Sequence, residues 1–170
     1  MKLSQLTQPI YDHLYRDIFE FRSTFDLPVN DNASLDDKAD TLHTSLIIEE
    51  MTELAEADSR MEQADAIVDS VYVLMGRLVH IGASQISDRL EISYLIDLLL
   101  NVAKNREIDF IQCWDEVHSS NMSKVCRNQQ ELDETIAFYA KQGVEIVGST
   151  KGEFIIAKCA KDVDMAGKVV

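Results

Sequence analysis

Glu49, Glu50 and Glu53 stand together in the stretch LIIEEMTEL (residues 46–54), and Glu62, Asp65 and Asp69 follow soon after. Carboxylates gathered in such number have one common chemical use. They hold hard divalent cations, chiefly Mg²⁺, with Mn²⁺ as a second choice, which fill their remaining positions with water and substrate phosphates. Without a cation they repel one another, and a buried carboxylate must be protonated or paired. Arg60 is the nearest basic residue to both groups. The plain alternative is a solvated acidic face, common on helices of acidic proteins. Two details weigh against it: Glu49 and Glu50 directly follow Leu46, Ile47 and Ile48, and Asp69 lies in a segment that is apolar on every side. His43 precedes the acids by more than a turn and reads as a packed or surface histidine. Neither acidic segment has the Glu-x-x-His pair that a di-iron bundle uses.

The periodicity of the chain supplies the elements that position these acids. Ile10, Leu14, Ile18, Phe21 and Phe25 recur at helical spacing and predict a first helix that stops before Leu27 and Pro28. PVNDNAS (residues 28–34) reads as a loop, and Ser34 with Asp37 as the capping-box start of a second helix running through LIIEEMTELAEA. A third helix is predicted from about Met61 to Ile81, ending at Gly82 and buried all round from Ala66 onward. At about 100° per residue, Glu49, Glu53 and Glu56 share one face of helix two, with Glu50 about 100° round from Glu49. Glu62, Asp65 and Asp69 share a face of helix three. Ala66 and Val73 continue that line, so the acidic face is expected to point towards a packed interior. A fourth helix, RLEISYLIDLLLNVAK, has Glu91, Asp97, Asn101 and Lys104 as its wet positions; a fifth around DFIQCWDEVH leads into SSNMSKV; and ELDETIAFYAKQG ends at Gly143. VEIV and EFIIA, about the turn GSTKG, predict a β-hairpin. The expected organisation is a helical domain over 1–143, with the hairpin and tail of the same domain over 144–170.

Composition narrows the classes. With 170 residues, 46% of them hydrophobic, two prolines and six glycines, the chain suits one compact, mostly helical domain. A net charge of -14 disfavours a nucleic-acid polymer or an anionic membrane surface as partner. No run reads as a signal peptide or a membrane span. Cys113, Cys126 and Cys159 lack a CxxC pairing and read as reduced thiols of a cytoplasmic protein, with neither a disulfide framework nor a zinc site.

EExxE at Glu49–Glu53, followed by ExxD at Glu62–Asp65, resembles the all-α nucleoside triphosphate pyrophosphohydrolases, a superfamily that includes MazG-like enzymes, dimeric dUTPases and phosphoribosyl-ATP pyrophosphohydrolase. ADAIVDSVYVLMG and VHSSNMSK resemble the later motifs of the MazG-like branch. The resemblance implies an all-α helical bundle, Mg²⁺ held by Glu49, Glu50, Glu53, Glu62, Asp65 and Asp69, and water attacking the α-phosphorus of a (d)NTP to release (d)NMP and pyrophosphate. It implies Glu50 as the residue that orients or deprotonates that water, and Asn121 and Lys124 as substrate contacts. Tyr72 and Trp114 are base-pocket candidates, although single aromatics on helices are more often core. A homodimer or dimer of dimers is expected, partly because the helices are too apolar for so short a chain to cover. The alternative is a helical module that binds nucleotide or protein without turnover. The interval between Glu53 and Glu62 is shorter than the family pattern, the stretch LEISYLIDLLLNVAKNRE looks like an added helix, and the sequence stops after GKVV where the family pattern continues.

Overall fold

A computed structural model gives the structure of the protein and describes residues 2–30, 33–151 and 153–159. Asp31 and Asn32 of the expected 28–34 loop, Gly152 of the hairpin turn and the tail from residue 160 lie outside the described residues. By compactness the chain divides into two units, Met1–His118 and Ser119–Val170.

In the first unit, α1 (Gln8–Thr24) is capped by the Thr7 hydroxyl and carries proline in its first turn, where the missing N–H costs nothing. α2 (Asp37–Glu56) is capped by Asp36, whose carboxylate accepts the Ala39 N–H at 2.7 Å. This corrects the cap expected at Ser34, which lies too far upstream to reach the first free amides. α3 (Arg60–His80) starts with a complete capping box from Ser59 and Glu62, and Gly82 follows it at φ +74°. A 3₁₀ turn (Ile86–Arg89) leads into α4 (Leu90–Asn105), and α5 (Phe110–Ser123) follows.

α3 is the centre of this unit and packs against α1, α2 and α4. Ile67, Val71, Leu74, Met75 and Leu78 are fully enclosed with Tyr11, Leu14, Ile18, Ile96 and Trp114. Burying each large apolar side chain contributes roughly 1.5–3 kcal/mol, so this helix anchors the fold. α2 differs, because His43 is its one buried residue and the half-buried Ile47, Met51 and Leu54 form its seam with the core.

On α4 the expected wet position Asp97 is buried, a correction with a clear cause. Its carboxylate accepts the backbone N–H groups of Ser4, Gln5 and Leu6 at 3.0, 2.7 and 2.7 Å, amides ahead of α1 that no helix satisfies. Leu95 and Leu98 are exposed on the same helix.

In the second unit, β1 (Val125–Cys126), β3 (Phe154–Cys159) and β2 (Ile146–Lys151) form an antiparallel sheet in the order β1-β3-β2. The expected hairpin is present, and β1 makes it three-stranded. α6 (Gln129–Ala140) packs on these strands, with Leu132, Cys126 and Ala157 at the centre of a small core. Gly148, read from the sequence as a turn residue, lies inside β2 opposite Ala157, and a Cβ there would collide with the Leu132 side chain. Close approach of α6, and not a turn, requires the glycine. Ser120 to Ser123 form the end of α5, and Lys124 lies in the turn that follows. Among the described residues no helix is long and apolar enough to cross a membrane, and Cys113 and Cys126 are free thiols. The architecture is the expected all-α fold with a small C-terminal sheet.

Candidate active site

α2 and α3 form an antiparallel hairpin joined by Ala57, Asp58 and Ser59. Its far end is pinned by two contacts: His43 Nε2 lies 3.0 Å from His80 Nδ1, and the Arg77 guanidinium donates to Asp40. Burial, then the charges of Arg22, His80 and Arg77, push the His43 pKa down to about 4 against the opposing pull of Asp40. His43 is therefore neutral near pH 7, a packed histidine as its sequence context suggested.

Towards the hairpin's bend the acids meet. Glu50 lies beside Ile47, Met51 and Leu54 around the α2 axis, so the seam that packs on the core turns Glu50 inward. Its Oε2 is buried and, among the described residues, has no hydrogen-bond donor. Burial, followed by the charges of Asp69, Glu53, Glu49 and Asp65, pushes its carboxyl up to about 7. These five acids thus act on one another across the two helices.

Their exposure corrects one expectation. Glu49, Glu53 and Glu56, which share a face, lie on the solvent side of α2, while Glu50, set apart from them by helical arithmetic, is the inner member. Ile48 is 61% exposed, because the apolar run at residues 46–48 is wider than the seam α3 can cover. The signal was in the sequence: Ile47, Met51 and Leu54 form an i, i+4, i+7 stripe that fixes the inward direction.

Glu62 stands apart. Its Oε2 accepts the N–H groups of Asp58 and Ser59, both at 2.9 Å, and these bonds hold its carboxyl below the ordinary value. The short interval after Glu53 has its explanation here: a three-residue turn suffices when Glu62 closes it.

The buried Oε2 bears on whether these acids suit a divalent cation. An enclosed carboxylate oxygen that among the described residues has no donor, and on which the charges of four more acids act, is what such a cation would satisfy. Among the described residues, the three ligand atoms lying within 4.8 Å of one another are those of His13, Asp17 and Asp115, so the acidic face is set wider. Wider spacing suits Mg²⁺, which keeps several waters and takes only one or two carboxylates per ion. The residues fit the group.

The remaining candidates lie elsewhere. Trp114 is fully enclosed and Tyr72 is buried, stacked 5.1 Å from it, so both are core. Asn121 and Lys124 belong to the second unit, where Lys124 Nζ donates to Asn121 Oδ1 at 2.8 Å.

Residues 19–92 match the family described as phosphoribosyl-ATP pyrophosphohydrolase. This segment is a domain of the all-α NTP pyrophosphohydrolase superfamily, as the EExxE and ExxD motifs suggested. The match runs from the middle of α1 to the start of α4 and takes in all six candidate metal ligands; Asn121 and Lys124 fall outside it. It supports a hydrolase of the pyrophosphohydrolase type, acting on phosphoric anhydride bonds. No curated protein and no solved structure matches the chain significantly.

Proposed function

We propose that the chain is a Mg²⁺-dependent nucleoside triphosphate pyrophosphohydrolase, converting (d)NTP to (d)NMP and pyrophosphate in house-cleaning of the cytoplasmic nucleotide pool. The observation that carries this reading is the buried Oε2 of Glu50, which among the described residues has no donor and feels the charges of four further acids. Glu49, Glu50, Glu53, Asp65 and Asp69 would hold the cations, and Glu62 is assigned to shaping the turn. Bound there, Mg²⁺ or Mn²⁺ would supply charge neutralisation of the triphosphate and of the developing charge on attacking and leaving oxygens.

Glu50 orients the attacking water and takes its proton. Without metal, burial and the neighbouring acids hold its carboxyl near 7, so cation binding and release of that proton are coupled. The water oxygen bonds to the α-phosphorus as the bond to the bridging oxygen breaks, and that oxygen leaves with pyrophosphate. No protein nucleophile takes part. Asn121 and Lys124 keep the substrate-contact role implied by the resemblance, with a phosphate competing for the Lys124 ammonium that Asn121 now accepts from. A homodimer or dimer of dimers is part of the reading, supported by the exposed Leu42 and Ile48 on α2 and Leu95 and Leu98 on α4.

The test is pyrophosphate release from a panel of (d)NTPs with Mg²⁺, including dUTP, dCTP, oxidised and methylated nucleotides, and phosphoribosyl-ATP because the matched family carries that name. Turnover that EDTA and Glu50→Gln both abolish is expected. Thermal stabilisation by nucleotide without any product would replace this reading with a binding module.

A further inference from the structure

A second cluster of metal-type ligands lies away from the acidic hairpin. His13 and Asp17 occupy one face of α1 at i and i+4, and Asp115 projects from α5. His13 Nε2 is 2.9 Å from Asp115 Oδ1 and 3.1 Å from Asp17 Oδ2. One ring nitrogen carries at most one proton, yet it faces two carboxylate oxygens of different helices.

The surroundings resemble the outer shell of a metal site. Asp17 is buried, and its Oδ2 accepts the indole N–H of the fully enclosed Trp114 at 3.0 Å, which fixes the direction of that carboxylate. Arg16, itself mostly exposed, bonds the opposite oxygen Oδ1, leaving the cluster side of Oδ2 open. His13 and Asp115 are partly exposed, so an ion has a path in.

We propose that His13, Asp17 and Asp115 bind a Zn²⁺-type cation that ties α1 to α5, with water completing the coordination. Imidazole with carboxylates suits Zn²⁺ or Co²⁺ and disfavours Mg²⁺, so the two metal classes separate by site. Metal–ligand bonds of about 2.0–2.1 Å in a tetrahedron set the ligand atoms roughly 3.3 Å apart. The two separations at His13 Nε2 need to lengthen by only a few tenths of an ångström to reach this, and the three ligand atoms already lie within 4.8 Å of one another.

The experiment is Zn²⁺ titration of chelator-treated full-length protein, followed by calorimetry and thermal melting, in a Glu50→Gln/Glu53→Gln background that weakens the acidic hairpin. One equivalent should bind, and melting should rise by roughly 5–10 °C at a hundredfold excess over Kd. Millimolar Mg²⁺ should not displace it. His13→Gln and Asp115→Asn should each weaken Zn²⁺ at least tenfold, and Co²⁺ should give the visible absorption of a tetrahedral ion that both variants lose. Asp115 is 55% exposed on its side chain, so Asp115→Asn keeps the test open if His13→Gln folds poorly. Absent binding, or binding undiminished in Asp115→Asn, overturns the site.

Discussion

Two carboxylates of the first unit with enclosed oxygens, the half-buried Glu50 on α2 and the buried Asp97 on α4, solve the same physical problem in opposite ways. Burial works against the charge of Asp97, but the amides of Leu6, Gln5 and Ser4 outweigh it and hold the carboxyl below its ordinary value. Glu50 has, among the described residues, no donor at its buried oxygen; burial and the charges of four acids raise its carboxyl to about 7. An acid whose lone pairs are filled by backbone is a structural part. One left unfilled beside others of its kind is, under the proposed function, where a cation would bind.

The largest effect that tests this contrast is catalytic. Glu50→Gln should lower kcat for pyrophosphate release by about 10²–10⁴-fold, while Asp97→Asn leaves kcat within a fewfold. Comparable kcat losses in both would end the distinction. Stability should rank the pair the other way: Asp97→Asn strands amides that now bond to a charge and should cost ~2–3 kcal/mol, a fall of about 5–10 °C in Tm by calorimetry.

The pH dependence sharpens the contrast further, because the two signs differ. Glu50 keeps its proton in the folded state up to about 7 but releases it near 4.5 when unfolded. Its contribution is therefore complete below 4.5 and is lost as pH rises to about 7. Asp97 contributes above its ordinary value of 3.8 and loses that contribution as pH falls through its lower folded value. In EDTA at pH 8, Glu50→Gln should stabilise the protein by about 1–2 kcal/mol, a figure reduced for the half-exposed side chain. Added Mg²⁺ should stabilise wild type and not the variant. Denaturant melts across pH 4–8 decide this, and a Glu50→Gln protein less stable than wild type at pH 8 without metal would refute the unfilled-oxygen account. The smallest effect belongs to Glu62→Gln. It should lower Tm by less than Asp97→Asn does and leave Mg²⁺ affinity by calorimetry unchanged.

Much of this was legible in the sequence, and the gaps have physical causes. The all-round burial of α3 follows from its unbroken apolar run, and the pairing of two acid-bearing helices from the motif order. The rotation of α2 was harder to read, because the three glutamates sharing a face drew more notice than the narrow stripe of Ile47, Met51 and Leu54. Asp97 could not be resolved locally: its partners lie more than ninety residues away in the chain. β1 is two residues long and exists only because β3 offers it an edge. Glu62 was chemically plausible as a ligand until the capping box placed its oxygens.

The turn between α2 and α3 limits how the pair can move. With three connecting residues clasped by Glu62 and a histidine pair latching the opposite end, lengthwise sliding of one helix past the other would have to tear both fastenings. Fastened at both ends, the pair keeps each acid level with the same neighbour, so the spacing of the carboxylates along the hairpin is set by the fold and not by what binds there.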